Sequence, residues 1–340
     1  MTDMTKRRVL CKALAAAAVS APFVRPAWSQ SQKVWKMTMA SPLPSTHPGS
    51  TFTVAAIEAI KKETNGAVQI EYLANSALGS EQSVFTQLRS GAIDFALSSS
   101  SFLYTVVPVA GTPCLSYAYN DYKTLWAALD GDLGQYIKEA LNKTGATAFK
   151  MIDNGFRQIT TSTKPIATPA DLNGVKIRIP PSPLYTTMFS ALGASPTTIT
   201  VGEVYSALQT KVADGMEGSL IFLESLNIAE VQKYCSKTSH CWEGLWLMAG
   251  NKTWNKLPED VRAVVQRNLE DAAVRQQKEF ARASGEAEAK LKSKGMVVSD
   301  PTKAPFREKL VSAGYYKDWK AKFGPEAWAK IEKYTGPLGA

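Results

Sequence analysis

The chain has 340 residues, of which 45% are hydrophobic and 20% are charged, and its formal net charge is +9. This length exceeds what one hydrophobic core usually organises, so we expect two domains. The excess of positive charge is mild, and no basic block is interleaved with aromatic residues. We therefore predict no nucleic-acid partner.

The first 29 residues have the pattern of an export signal. Basic residues precede an apolar stretch from Ala13 to Val24, and small residues follow at the spacing that signal peptidases accept. We predict cleavage near Ser29, and the pair Arg7 and Arg8 leaves twin-arginine export open beside the general route. No later apolar run approaches the roughly 20 residues that span a bilayer, so we expect a soluble mature chain.

Cysteine and histidine are too sparse to suggest a cofactor. Beyond the signal lie Cys114, Cys235 and Cys241, an odd number in an oxidising compartment. Cys235 and Cys241 could pair only if the chain turns back between them, because six extended residues span roughly 20 Å. We expect buried free thiols. With only His47 and His240, and no CxxC or HExxH spacing, we predict no metal site and no other cofactor, although the sequence leaves open whether a cation assists ligand binding.

Strand and helix signals alternate along the first half of the mature chain. The pattern predicts a strand at 34–39, an amphipathic helix at 52–64, a strand at 68–72, a helix at 81–90 and a buried strand at 93–97. The loop at 41–50 is rich in turn formers, and His47 is most simply a turn residue there. This alternation predicts an α/β fold with a largely parallel sheet.

A second α/β series begins near Ala146. The pattern predicts strands at 148–153, 175–179 and 197–201, with helices at 184–192 and 202–213. Residues 257–294 look helical almost throughout, with Pro258 suited to the first turn and Gly295 ending the helix. The sequence therefore predicts a second domain and one long helix.

Ligands of open α/β sheets bind beyond the carboxyl ends of the strands. Arg178 lies one residue from the end of the strand VKIRI, which two prolines stop. Ser98, Ser99 and the segment ending at Val201 occupy similar positions, as does the loop that contains His47. An arginine suits a carboxylate there, because its planar fork donates two parallel hydrogen bonds. The pattern alone leaves open whether Arg178 is such a clamp or a surface residue.

The acidic residues Glu203, Asp214 and Glu217 are candidates for acid–base chemistry in a secreted enzyme. The chain has no nucleophile elbow, no metal-ligand set and no evident histidine partner for them. A solvated or salt-bridged role fits these carboxylates better, and we predict that the protein is not an enzyme.

Four stretches of the chain resemble the solute-binding proteins of TRAP (tripartite ATP-independent periplasmic) transporters, in particular the dicarboxylate-receptor-like family. They are LGSEQSVFTQLRSGAIDFAL, FRQITTSTKPIATPADLNGVKIRIP, LGASPTTITVGEVYSALQTKVADGMEG and NKTWNKLPEDVRAVV. All four occur in family order behind an export signal, and the resemblance extends over nearly the whole mature chain. The resemblance implies a periplasmic receptor that delivers a small organic acid to membrane permease subunits.

The resemblance implies a two-lobe periplasmic binding protein of type II-like fold, with a hinge and a long helix spanning both lobes. We predict that residues 30–155 and 244–283 form lobe I, and that residues 156–243 and 284–340 form lobe II. A sensor subunit that reports its ligand to a membrane kinase is an alternative that the sequence does not separate from transport.

The resemblance also implies that Arg178 receives the substrate carboxylate in bidentate fashion and that Arg157 reaches it directly or through water. Relatives that bind a sialic acid carry glutamine in place of Met216 and asparagine in place of Gly218. Without those amides, a polyhydroxylated sugar acid is less expected here.

Tyr185 and Phe222 bear on the rest of the ligand. If both face the cleft, they favour an apolar or aromatic body, as in a 2-oxo or 2-hydroxy acid, although packing in the core fits them equally well. A C4-dicarboxylate stays open, since Arg157, Lys36 or Lys176 could meet a second carboxylate. The candidate ligand-binding residues are Arg178, Arg157, Tyr185, Met216, Glu217, Gly218, Ser98, Ser99, His47, Val201 and Phe222.

Overall fold

The computed structural model describes residues 33–339, so the predicted export signal lies outside the described residues. The strands are β1 Trp35–Ala40, β2 Val68–Leu73, β3 Phe95–Ser99, β4 Ala146–Phe156, β5 Gln158–Thr161, β6 Lys176–Ile179, β7 Ser195–Thr198, β8 Gly215–Gly218, β9 Tyr234–Ser236, β10 Trp242–Gly250 and β11 Val297–Ser299. The helices are α1 Pro48–Glu63, α2 Glu81–Ser90, α3 Ser100–Leu103, α4 Tyr122–Leu129, α5 Asp132–Asn142, α6 Pro183–Ala191, α7 Val204–Gln209, α8 Leu220–Ser225, α9 Asn251–Trp254, α10 Glu259–Ser293, α11 Ala304–Ser312, α12 Tyr315–Phe323 and α13 Pro325–Thr335.

The strands form two mixed sheets, so the prediction of a largely parallel sheet is wrong: β10 and β5 each run antiparallel to both of their neighbours. The five-stranded sheet has the order β2-β1-β3-β10-β4, with β1 parallel to β2 and β3 and with β10 antiparallel to β3 and β4. The six-stranded sheet has the order β11-β9-β5-β8-β6-β7, in which β6 is parallel to β7 and β8, and β5 is antiparallel to its neighbours. All nine residues of β10 are buried, as expected for a central strand covered on both faces.

The chain connects the two sheets at three places. Strand β4 of the five-stranded sheet leads into β5 of the six-stranded sheet at Arg157, and β9 returns to β10 through residues 237–241. The Arg157 backbone N–H donates to the Cys241 carbonyl oxygen at 2.8 Å and so ties these two crossings together. The third connection is α10, a helix of 35 residues and roughly 50 Å, which packs on α1 and β4 and also on α8 and β11. These three connections do not test the predicted lobe boundaries, which stay a prediction.

Two predicted helices differ from the observed ones for local reasons. Helix α1 begins at Pro48 instead of residue 52, because the His47 ring caps it: His47 Nδ1 accepts the Gly49 backbone N–H at 3.0 Å. Helix α7 ends at Gln209, four residues early, because Lys211 adopts a left-handed backbone conformation with φ of 59° that no helix continues through.

The three cysteines of the described chain, Cys114, Cys235 and Cys241, are buried and free, as predicted. Among residues 33–339, no helix combines the length and the apolar character that a bilayer crossing requires.

Candidate ligand-binding site

Arg178 is buried and not solvated, since only 1% of its surface is exposed. Its strand β6 lies between β7 and β8, with Thr197 and Met216 as its neighbours in register. The Arg178 Nε donates to the Ile199 carbonyl oxygen at 2.9 Å, which fixes the plane of the guanidinium. The Arg178 Nη2 is buried and has no hydrogen-bond partner among the described residues. An unpaired buried donor of this kind costs about 1–3 kcal/mol, so an acceptor at this position would be stabilising.

Arg178 lines two cavities that share part of their walls. The outer cavity has a volume of about 300 Å³ and the inner cavity about 40 Å³. Both are lined by Pro42, Glu81, Arg178, Pro180 and Val201. These residues come from both halves of the molecule, since Pro42 follows β1 of one sheet and Pro180 follows β6 of the other.

The inner cavity adds walls from the centre of the molecule. Ser99, at the end of β3, and Phe222, in α8, line it, as do Arg157 and Leu245. The predicted residues Arg178, Arg157, Ser99, Val201 and Phe222 are thus brought together around one space.

Arg157 is already paired with a protein carboxylate. Its Nε donates to Glu217 Oε2, and its Nη2 donates to Glu217 Oε1 at 2.6 Å. Burial acts to raise the pKa of Glu217, but the charge and hydrogen bonds of Arg157 outweigh it and hold that pKa at about 2. Because Glu217 occupies the Nε–Nη2 edge, Arg157 has only Nη1 left to reach a ligand. Its predicted direct contact is therefore restricted to one nitrogen.

His240 also contacts the ion pair of Arg157 and Glu217, but as a neutral side chain. Its Nε2 lies 3.4 Å from Glu217 Oε2, and its Nδ1 lies 2.9 Å from Thr238 Oγ1. Burial lowers the pKa of His240, against the raising effect of Glu217, so we treat the imidazole as neutral near pH 7.

Several predicted residues lie behind the cavity walls instead of in them. The Tyr185 ring packs under the Arg157 guanidinium at 5.3 Å, and its hydroxyl donates to Glu243 Oε2 at 2.6 Å. Five other predicted residues line neither of the two cavities: Met216, Glu217, Gly218, Ser98 and His47. Burial lowers the pKa of His47 to about 3, and its ring serves as the cap of α1.

Gly218 acts through its neighbour. A Cβ added there would lie 2.9 Å from Phe222 Cδ1, so the glycine makes room for the Phe222 ring that lines the inner cavity. Neither Met216 nor Gly218 lines the two cavities, and the loss of ligand contacts with the missing amides at 216 and 218 stays a prediction. A larger residue at 218 would compete with Phe222 for space.

The sequence did not point to three acceptors in the walls: Glu81, Glu243 and Asn154. Glu243 Oε1 accepts the Ser101 backbone N–H at 3.3 Å, and the Asn154 side chain lies against the His47 ring, where its hydrogen bonding acts to raise the pKa of His47. A signal for Glu243 was present, since it is a lone carboxylate in the apolar run CWEGLWLMAG. Asn154 carries no such signal.

Glu81 is the first residue of α2, and its carboxylate lines both cavities. Its Oε1 accepts the Ser99 backbone N–H at 2.6 Å, and its Oε2 accepts the Ser99 hydroxyl at 2.8 Å. Burial outweighs these bonds and, helped by the nearby Glu243 charge, raises the pKa of Glu81 from 4.5 to about 7. The Glu81 carboxyl in this wall therefore gains or loses its proton near neutral pH.

Glu81→Gln tests this pKa through stability. Between pH 4.5 and 7 folded Glu81 keeps a proton that the unfolded chain has released, so its contribution to stability falls as pH rises through this window. Removing the carboxylate should therefore help the unliganded protein more at pH 7.5 than at pH 5, by about 1–2 kcal/mol for this partly buried group. Urea denaturation at both pH values measures the difference. The exposed Glu308→Gln is the control, and an equal effect of Glu81→Gln at both pH values would refute the raised pKa.

Comparison with known proteins places the chain in a family. The model of the bacterial extracellular solute-binding protein family 7, DctP, matches residues 39–320. A solute-binding protein of Roseobacter denitrificans is 33% identical over 254 residues, which cover 74% of this chain and 77% of that protein. The C4-dicarboxylate-binding periplasmic protein DctP of Rhodobacter capsulatus is 31% identical, over 79% of this chain and 80% of that protein.

Solved structures agree with this result. A TRAP periplasmic solute-binding protein from Sulfurospirillum deleyianum, with bound succinate, has a TM-score of 0.83 and 26% identity, and covers 88% of this chain and 99% of its own. A TRAP periplasmic solute-binding protein from Bordetella, with density interpreted as pantoate, has a TM-score of 0.82 and 28% identity, with coverage of 88% and 98%.

The protein is thus a two-lobe α/β solute-binding protein of the TRAP type, with α10 running along both lobes. The chain belongs to the bacterial extracellular solute-binding protein family 7. This is a family of transport receptors and not of enzymes, which removes the secreted hydrolase as an alternative.

Proposed function

We propose that this protein is a periplasmic receptor that binds a small organic acid through its carboxylate and delivers it to TRAP membrane permease subunits. The observation that carries the proposal is the buried guanidinium of Arg178, a residue that lines a cavity between residues of both sheets and whose Nη2 has no acceptor among the described residues. The Nε of Arg178 is held by Ile199, so the opposite Nη1–Nη2 edge is the one that offers a carboxylate two parallel bonds.

Closure of the lobes around the ligand would supply the rest of the affinity. Water around the charge pair is excluded on closure, and a carboxylate–guanidinium contact is stronger in the resulting low-dielectric surroundings than at an open surface. The export pattern at residues 1–29 and the periplasmic relatives support the compartment, and the family supports the permease partner.

The other walls favour a hydroxy acid with an apolar part as the ligand. Glu81 and Glu243 offer carboxylate acceptors, to which a ligand hydroxyl can donate a hydrogen bond. A 2-oxo group has no proton to donate, and a second carboxylate would meet like charge. Phe222, Val201 and Leu245 give the same space an apolar side. Pantoate, the ligand interpreted in the Bordetella structure, combines one carboxylate, hydroxyls and a dimethyl group.

A matched ligand series tests this proposal. We expect 2-hydroxy-3-methylbutanoate at pH 8 to raise the melting temperature more than 2-oxo-3-methylbutanoate, 3-methylbutanoate, succinate or galactonate. A ligand at one hundred times its Kd stabilises the folded state by about 2.7 kcal/mol, which a thermal-shift assay detects clearly. A response to succinate alone would overturn the hydroxy-acid assignment and keep the receptor. No response to any of the acids, with mass spectrometry showing no co-purified ligand, would overturn the carboxylate receptor itself.

A further inference from the structure

The two cavities beside Arg178 differ greatly in size. The inner cavity has a volume of about 40 Å³ and the outer cavity about 300 Å³. A cavity of about 150 Å³ is known to hold benzene, so the outer cavity has room for a ring with a short chain. The inner cavity has room only for a small group, such as a carboxylate or a hydroxyl. The body of a ligand whose carboxylate lies on Arg178 must therefore extend into the outer cavity.

Rigid apolar side chains from both halves of the molecule line the outer cavity. Pro180 and Pro181 follow directly after β6, the strand that carries Arg178. Phe102, in α3, lines the cavity from the other half and is held edge-to-face against Phe85, with ring centroids 6.0 Å apart. These side chains have no hydrogen-bond donor or acceptor, so they favour an apolar partner. A ring such as Phe102 adds to the gain from burial when the partner is also aromatic.

Three hydroxyl groups of the outer cavity are already used within the protein. Thr105 Oγ1 donates to the Phe102 carbonyl oxygen at 2.8 Å, and Thr200 Oγ1 donates to Glu203 Oε2 at 2.5 Å. Ser80 Oγ caps α2 by accepting a backbone N–H at 3.3 Å. A polyhydroxylated ligand body would therefore find fewer free donors here than the count of polar residues implies.

Charge is confined to the wall that the two cavities share. Arg178 and Glu81 line both cavities, whereas the residues that line the outer cavity alone carry no charge. A second carboxylate at the far end of the ligand would lose water there without gaining a cation, which is costly. The far end of the ligand is therefore expected to be uncharged.

We propose that the outer cavity is the subsite for the body of the ligand and that this body is an aromatic ring. The ligand class is then that of 2-hydroxy acids with an aromatic side chain, such as 2-hydroxy-3-phenylpropanoate. Its carboxylate lies on Arg178, its hydroxyl lies at the shared wall, and its ring packs between Phe102 and the two prolines. This inference rests on the proposed function, because Arg178 fixes the position from which the ring enters the outer cavity.

Two acids that differ only in the ring test the subsite, by calorimetry on the mature protein. We expect 2-hydroxy-3-phenylpropanoate to bind about tenfold to a hundredfold more tightly than 2-hydroxypropanoate, which is the gain expected from burying a phenyl group. Thr105→Trp, which places a large side chain in the outer cavity, should bring the ratio of the two affinities close to one. The control Thr210→Trp should leave the ratio unchanged, because Thr210 is exposed, lines neither cavity and likewise donates its hydroxyl to a backbone carbonyl.

The two acids separate this proposal from the proposed function. Equal binding of both acids, or binding of 2-hydroxypropanoate alone, overturns the aromatic subsite and keeps the carboxylate receptor, whereas binding of neither acid overturns both. The same preference in Thr105→Trp and Thr210→Trp would place the ring elsewhere and also reject the subsite. Should Thr105→Trp not fold, Gln82→Trp decides in its place, because Gln82 is exposed and lines the outer cavity but not the inner one.

Discussion

Arg178→Met is expected to weaken binding of the cognate acid by about 2–5 kcal/mol, the range found when one partner of a buried charge pair is removed. Methionine keeps the unbranched stem and removes the guanidinium, so the ligand carboxylate would enter a buried space without its cation. Burial lowers the pKa of Arg178 to about 10, with Arg157 acting in the same direction and Glu217 against it. The unliganded protein bears the cost of this desolvated, half-paired cation.

The same variant should therefore lose affinity without losing stability. Calorimetry measures the affinity, and urea denaturation of the unliganded protein measures the free energy of unfolding. A structural arginine would behave in the opposite way, with lower stability and unchanged binding, and that result would reject the clamp. Arg275→Met, on the exposed face of α10, is the control and should alter neither quantity by more than about 0.5 kcal/mol.

Arg178→Lys separates charge from geometry. A lysine ammonium is a point charge that cannot hold the Ile199 carbonyl and at the same time present two parallel donors to a carboxylate. We expect it to recover only a small part of the lost affinity. Full recovery in the same titration would mean that charge alone holds the ligand.

The periodicity of the sequence predicted some regular elements well, whereas α4, α5, β10 and α11 to α13 were not predicted. Helix α2 has the predicted bounds Glu81–Ser90, and α10 lies within the predicted 257–294. Both have strong local determinants, since Ser80 caps α2 and Gly91 ends it in a left-handed conformation. Helix α1 started earlier than predicted because a histidine ring performs the cap, a contact that depends on burial of His47 and is invisible in the pattern.

The sequence predicted part of the site, because some of its residues have a signal in their own strand and others are placed only by tertiary packing. Arg178 could be found because a charged residue near the end of an apolar strand is conspicuous in the sequence itself. Tyr185, in α6, and Met216, in β8, were expected at the ligand from their place in the sequence, and neither lines the two cavities. Their depth depends on tertiary packing, which the sequence pattern does not show. Glu81 and Asn154 join the wall from separate elements, α2 and β4, and only the tertiary fold brings them within reach of Arg178.

Glu217→Gln is expected to lower the free energy of unfolding by about 3–5 kcal/mol, because it leaves the buried Arg157 without its counter-charge. The pair joins the crossing between β4 and β5 to strand β8, so its loss acts on the connection between the two sheets. Urea denaturation of the unliganded variant measures the change. The exposed pair between Arg267 and Glu63 provides the control, and Glu63→Gln should cost less than about 1 kcal/mol.

The pH dependence and a double variant identify the cause of that loss. The pKa of Glu217 is held at about 2, so its stabilising effect is fully present above pH 4.5 and is lost only as pH falls towards 2. The cost of Glu217→Gln should therefore be the same at pH 5 and pH 8, unlike the effect of Glu81→Gln. Replacing both partners, Arg157→Met with Glu217→Leu, should restore much of the lost stability, because no unpaired charge remains buried. If the double variant is as unstable as Glu217→Gln alone, then the unpaired charge of Arg157 is not the cause of the instability. The lost hydrogen bonds and packing between Arg157 and Glu217 would be the cause instead.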